Sequence, residues 1–380
     1  VLQMAGFYYA DEDDTTYERG VSAYYDDSHD KCMPYPESVE MDGTLRQWVL
    51  HAKYPNKVVN NKFTSYADGI PTAWESENAL EDLKAGGLCG FSICDLTFLK
   101  MMRDVKYASM TSDGVLQGCV NYNYQYCVAL GEADVKRVLL TSAQGANIIE
   151  GSSVLVGTYN GSSKDRNTSV NYSISGQQGC RVLSKETVTV SGNTYVALNL
   201  ELDDTITTVG DGTETSGNTL VSTFHYCGGY CDSVMGNDGS PINPANGAEP
   251  AKLQGIVYSC GAYEVVDDAI LSQDADNYYV YVADALTKHS KSAITDYALE
   301  GTCPKVAAAD NWQYIKKEAL SDKGLLFPWL VGGSSSTYTK DGFYQNGTNV
   351  ASGLREYLSF GDLGRGVANG GLCYVTGTLG

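Results

Sequence analysis

Four histidines, His29, His51, His225 and His289, are the side chains here that ordinarily titrate near neutrality. Eleven cysteines are the candidate nucleophiles and soft metal ligands. Their spacing does not assemble a site. The tightest pair is Cys227-Gly-Gly-Tyr-Cys231, with Cys89 and Cys94 next, and no C-x-x-C or H-E-x-x-H occurs. No zinc site, and no other metal centre, is therefore expected. The thiols have two readings: buried free thiols of a reducing compartment, or one or two disulfides with Cys227–Cys231 the first choice. His225, within Thr223-Phe-His-Tyr226, alternates as a strand residue does and reads as structural rather than as a base. Asp274-Ala-Asp276-Asn277 has the alternation of a calcium loop but lacks its glycine and distal Glu, so an acidic face is expected there. Phosphate loops, dinucleotide fingerprints and nucleophile elbows are missing, and no cofactor is expected. Gly361-Asp-Leu-Gly364-Arg-Gly366 has the wrong spacing for phosphate.

Charge narrows the partners. The 380 residues carry 26 Lys+Arg against 46 Asp+Glu, a net charge of −20. Nucleic-acid binding needs clustered positive charge, and so does docking on an anionic membrane, so neither is expected. No run of eighteen apolar residues occurs, so no membrane insertion is expected. Val1–Gly6 has neither a basic region nor an apolar stretch, so no secretory signal is read there. Hydrophobic residues make up 43%, enough for a core, while 41 Gly and 28 Tyr point to many turns and a contact surface.

The elements that must position these residues divide the chain into four parts. Residues 1–40 read as an acidic, Tyr-rich arm, either solvated or docked on a neighbouring subunit. Residues 41–132 contain a strand at 47–53, a helix over 76–83 with Ser76 as its cap, and the strongest helix over 96–110, capped by Asp95. Residues 133–221 read as a small inserted all-β module. Strands are expected at 137–141, 154–159 and 169–173, with a hairpin whose arms are 186–190 and 194–200. Residues 222–380 read as long loops and short strands, with a strand pair or short helix at 310–317.

The order of late landmarks carries a resemblance. Gly332-Gly-Ser-Ser-Ser-Thr-Tyr-Thr-Lys-Asp341-Gly-Phe-Tyr-Gln-Asn346, then Gly353-Leu-Arg355, Phe360-Gly361 and Gly370-Gly-Leu resemble the end of C-type-lectin-fold proteins of the formylglycine-generating-enzyme type. More narrowly, they resemble phage and prophage proteins that use this fold for display, several of them diversified by a retroelement in the final segment. Leu253-Gln-Gly-Ile256 and Gly261-Ala-Tyr-Glu-Val265 resemble the middle of that fold. The resemblance implies an α+β, C-type-lectin-like fold with short strands, two helices and long loops, interrupted by the β module. It implies a non-enzymatic virion protein, on the tail or surface, displaying a receptor-binding surface. The contact residues it implies are Asp362, Arg365, Asn369, Cys373, Thr376 and Thr378, flanked by Tyr338 and Tyr344. The partners implied are other virion subunits or further copies of itself, and a host surface protein or glycan. The enzyme branch uses a pair of cysteines near its C-terminal strands. Only Cys373 lies in that segment here, so oxidase chemistry is not expected. An architectural virion role, with assembly through the arm and β module and no ligand, is the alternative.

Overall fold

Strand periodicity governs more of this chain than its glycine-rich composition suggests. The computed structural model describes residues 1–12, 17–40, 42–71, 77–164, 169–233, 247–285, 290, 293–306, 310–333, 341–346, 354–361, 363–364 and 374–376. The chain begins with β1 (Leu2–Met4), β2 (Phe7–Glu12), β3 (Tyr17–Ser22), β4 (Lys31–Pro34), β5 (Trp48–Leu50), β6 (Asn56–Val59) and β7 (Lys62–Ser65). Helices α1 (Glu77–Ala85) and α2 (Ile93–Tyr107) follow. Next come β8 (Gln125–Cys127), β9 (Arg137–Leu140), α3 (Ser142–Ala146), β10 (Ser152–Thr158), β11 (Cys180–Val190), β12 (Asn193–Leu200), β13 (Thr219–Tyr226) and α4 (Tyr230–Ser233). The last part holds β14 (Ala251–Leu253), β15 (Ile256–Ser259), β16 (Glu264–Gln273), β17 (Asn277–Ala283), β18 (Tyr297–Pro304) and β19 (Asp310–Leu320). It ends with β20 (Leu326–Gly333), β21 (Gly342–Asn346), β22 (Arg355–Ser359) and β23 (Tyr374–Thr376).

Among the described residues, strand accounts for 43% and helix for 11%. This corrects the expected α+β class: the protein is mostly β, with many antiparallel sheets, and the C-type-lectin-like assignment is set aside. The error came from the long late strands. β16 spans ten residues where short strands were expected; its central Asp267 and Asp268 are residue types that signal solvent, yet both are buried. β19 spans eleven residues and shifts register three times against β20, which obscures its alternation. Residues 169–171, expected as strand, form a single 3₁₀ turn.

The chain divides into two compact units. Unit 1 comprises Val1–Lys53, Trp74–Val120 and Gly236–Gly380; unit 2 comprises Tyr54–Ala73 and Asn121–Met235. The β module drawn from the sequence at 133–221 lies inside unit 2, which also takes in residues 54–73.

Unit 1 centres on an eight-stranded sheet, ordered β18-β17-β16-β22-β23-β21-β19-β20. Helix α2 packs Ile93, Leu96, Phe98, Leu99, Met101 and Met102 into a core shared with Val266, Leu271, Tyr278, Phe343 and Tyr357. Its start is set by a capping box. The Ser92 hydroxyl accepts from the Asp95 N–H at 3.1 Å, and the Asp95 carboxylate accepts from the Ser92 N–H at 2.8 Å. Ser92 is thus the cap, and Asp95, expected in that role, is its reciprocal partner. The helix ends in left-handed Ala108. Ser76, the expected cap of the first helix, lies outside the described residues.

The N-terminal segment, expected as an arm, forms β1 to β4 of unit 1. Tyr8 is fully buried against Tyr35, whereas Tyr24 and Tyr25 are exposed. β1 pairs with β5, placing Leu2 opposite Leu50 and Met4 opposite Trp48 on one exposed apolar face.

Unit 2 is a barrel. Its six strands run β8-β13-β10-β11-β12-β9, and Leu130, just past β8, bridges Leu139 of β9 to close the ring. Every second residue points inward: Val138 and Leu140, Val154 and Val156, Cys180 and Val182, Leu198 and Leu200 share one apolar cluster. The β11–β12 hairpin pairs Val190 with Asn193 across a two-residue turn. Ser191 and Gly192 there have φ of 49° and 80°, as a type I′ turn requires.

Candidate functional site

Of the eight contact residues named from the sequence, Tyr338, Asp362, Arg365, Asn369, Cys373 and Thr378 lie outside the described residues. Tyr344 is in β21, paired with Trp312 of β19, and the two rings meet edge to face at 5.6 Å. Thr376 is in β23, paired with Tyr357 of β22. β23 runs between β22 and β21, so this C-terminal strand is an internal member of the eight-stranded sheet. Tyr344 and Thr376 therefore belong to adjacent strands of one sheet.

The chain's best acid–base candidates gather at the start of α2 in unit 1. His51 follows β5, and its Nδ1 lies 2.7 Å from Asp95 Oδ1. Its Nε2 lies 2.5 Å from Gln3 Oε1, and Gln3 Nε2 donates to Glu37. With both ring nitrogens facing oxygen acceptors, the imidazolium form fits best. Burial disfavours that charge, but the hydrogen bond and charge of Asp95 outweigh it and raise the His51 value. The side chain is 5% exposed and stacks on Phe98. Around this relay, burial pushes Glu37 and Asp268 up to about 7 and Glu264 up to about 8. Asp268 also accepts from the Ile93 N–H at 2.7 Å, at the open end of the helix. The Cys94 thiol is pushed well above its ordinary value by burial, and so remains un-ionised at neutral pH.

The other face of α2 carries a buried ionic network. Arg19 of β3 bonds Asp104 at 2.8 Å and Glu318 of β19 at 3.2 Å. Lys100 also pairs with Glu318, while Arg103 bridges Asp104 at 2.7 Å and Asp341 at 2.6 Å. Three cations meet three anions, and all six side chains are under 5% exposed. Burial alone would raise the Glu318 carboxyl, but Lys100, Arg19 and Arg103 hold it below its ordinary range.

Of the remaining titratable candidates, His289 lies outside the described residues and the others are placed. Asp274 accepts from the Asp276 and Asn277 N–H groups, both at 2.8 Å, and from the Tyr279 hydroxyl at 2.5 Å. It therefore organises its own turn. His225 is buried in β13, and His29 stacks on Tyr9 and contacts Asp11. The described cysteines, Cys227 and Cys231 included, form no disulfide with one another. Among the described residues, no cluster of His, Cys, Asp and Glu could hold a metal ion. No helix among them is long and apolar enough to cross a membrane.

Unit 2 offers a different kind of site, an open cleft of about 400 Å³ where β11, residues 67–68, 150–151 and the start of α4 converge. Glycine permits the convergence. Gly151 has φ +87°, and a Cβ there would lie 2.6 Å from the Tyr230 ring; the Gly229 N–H bonds Ala67 O at 2.7 Å. Arg181 of β11 stands in the wall, 3.3 Å from Asp68 and 3.4 Å from Glu201. Glu150 is exposed at the edge, anchored by the Lys185 N–H at 3.3 Å. Sequence reasoning picked out neither this cleft nor the His51–Asp95 relay. The one local signal was the Gly-Gly pair before Tyr230. Searches against protein families and against curated proteins return no match.

Proposed function

We propose that this protein is a non-enzymatic component of a virion surface or tail that presents a binding surface to a host protein or glycan. The observation that carries the reading is how the reactive residues are used. The His51–Asp95–Gln3–Glu37 relay is buried and internally bonded, Cys94 is held as a thiol, and six further charges neutralise one another inside unit 1. These groups build structure, while the open cleft of unit 2 presents donors and acceptors suited to recognition. β23, a few residues after Asp362, Arg365 and Asn369 in the sequence, lies inside the eight-stranded sheet, and a rigid scaffold is what variable contact residues need. The test is to change Asp362, Arg365 and Asn369 together to Ala. Loss of adsorption to target cells by particles that still assemble supports the reading; unchanged adsorption contradicts it.

The architectural alternative is favoured by the apolar face of β1 and β5. Leu2, Met4, Trp48 and Leu50 are 57, 63, 50 and 69% exposed. Four such side chains present roughly 400 Å², about half of what each partner buries in a stable interface. That shortfall ranks assembly without a ligand second.

A further inference from the structure

We propose that the cleft of unit 2 lined by Asp68, Glu150, Arg181 and Tyr230 is a binding site for a neutral saccharide unit. The inference rests on reading the protein as a binding component, and it names the ligand chemistry and the place.

The cleft's volume, about 400 Å³, lies at the small end of the range for small-molecule sites, about 300–1,000 Å³. One or two sugar rings suit it. Its lining combines two exposed carboxylates, one guanidinium and one phenol ring. A sugar hydroxyl donates and accepts at once, so it can use carboxylate and guanidinium together, while the C–H face of a sugar ring lies well on an aromatic face. Other ligand classes suit this lining less well. An anion meets Asp68 and Glu150, with Glu201 behind Arg181, against a single positive charge. A cation meets the Arg181 guanidinium, which already engages Asp68 and Glu201. A purely apolar ligand would cover these polar groups without replacing their hydrogen bonds with water.

Arg181 is held loosely. Its contacts with Asp68, through Nη1, and with Glu201, through Nε, are long, at 3.3 and 3.4 Å. An arginine held between two carboxylates without tight pairing keeps donors to offer a ligand. The Cys227 thiol beside it is pushed up to about 11 by burial, so it adds no negative charge at neutral pH. Tyr230 is held in place in the cleft wall. Its ring packs on Tyr226 at 5.1 Å, and Gly151 leaves the space it occupies.

The experiment titrates the full chain by calorimetry and saturation-transfer NMR. The probes are maltose, lactose and diacetylchitobiose as neutral sugars, sialyllactose as an anionic sugar and trilysine as a cationic peptide. The expected result is saturable binding of at least one neutral disaccharide, with sialyllactose about tenfold weaker or worse. Glu150→Gln and Tyr230→Ala should each weaken that binding about tenfold. Glu150 is exposed, so Glu150→Gln should leave the melting temperature in place and separate lost recognition from lost folding. Absence of binding by all three neutral sugars up to about 10 mM overturns the proposal. So does binding that survives both substitutions, or binding of trilysine in place of the sugars. A parallel adsorption assay separates this proposal from the reading beneath it. Adsorption that survives both cleft variants but is lost with Asp362, Arg365 and Asn369 removes the cleft and keeps the binding function. Failure of the unaltered chain to adsorb removes the function itself.

Discussion

Unit 1 and unit 2 bury their interiors by opposite means. The barrel of unit 2 fills with Val138, Leu140, Val154, Val156, Leu198 and Leu200, contributed by alternate positions of its strands. Unit 1 has an apolar core on one side of α2, but on the other it buries Lys100, Arg103 and Asp104 with Arg19, Glu318 and Asp341. An apolar interior is tolerant, since each side chain contributes about 1.5–3 kcal/mol and neighbours can relax around a loss. A charged interior is brittle, because removing one ion strands its partners away from water. The difference also has a use. Unit 1 consumes its reactive groups in holding itself together, whereas unit 2 keeps Asp68, Glu150 and Arg181 at an open cleft.

The sharpest way to break this contrast is Glu318→Ala. It takes the carboxylate away from Lys100 and Arg19 in the interior and should cost about 3–5 kcal/mol. Urea unfolding should show the loss in unit 1, with the barrel's transition unmoved. Leu198→Ala is the matching test in unit 2. A cavity there should cost about 2–5 kcal/mol and shift only the barrel's transition. If both substitutions moved one common transition, the division into separately stabilised interiors would fail.

Acidity sharpens the comparison further. Folded unit 1 holds protons on Glu37, Asp268 and Glu264, with values of about 7, 7 and 8, that an unfolded chain with carboxyls near 4 has released. Their contribution is complete below about pH 4 and is lost as pH rises through 7 to 8. His51, also raised, adds stability that is full below its unfolded value and disappears above its folded one. In unit 2 the exposed Asp211 carboxyl is instead lowered by the hydroxyl and N–H of Thr213, a contribution already complete above about pH 4. Thermal melts from pH 5 to pH 8 should therefore destabilise unit 1 progressively and leave the barrel nearly level. The smallest effect concerns the capping box. Ser92→Ala should cost about 1 kcal/mol in unit 1, measured by the same urea series.

The same contrast explains what the sequence revealed. The hairpin at 186–200 was legible because its alternation is uninterrupted and its Ser191-Gly192 turn is local. Helix α2 was legible from Leu96, Leu99 and Met102, although its cap was misplaced by three residues. The ionic network was not legible, because Arg19 lies 299 positions from Glu318, and Arg103 lies 238 from Asp341. The late strands were misread because charges that signal solvent in a short window, such as Asp267 and Asp268, are buried by partners far along the chain. The lectin-like expectation rested on glycine-punctuated landmarks, which fix turns but not the order of strands. The cleft was hidden for a similar reason: residues near 68, 150, 181 and 230 meet only once the barrel has closed.

The central claim is that a constant scaffold carries a recognition surface. The most direct measurement is deep sequencing of this gene across a population that carries it. The account predicts amino-acid changes concentrated in a few codons of the C-terminal segment from Gly332 onward, with α2, its ionic partners and the barrel interior constant. Uniform constancy through that segment, or changes scattered evenly over the chain, would contradict it.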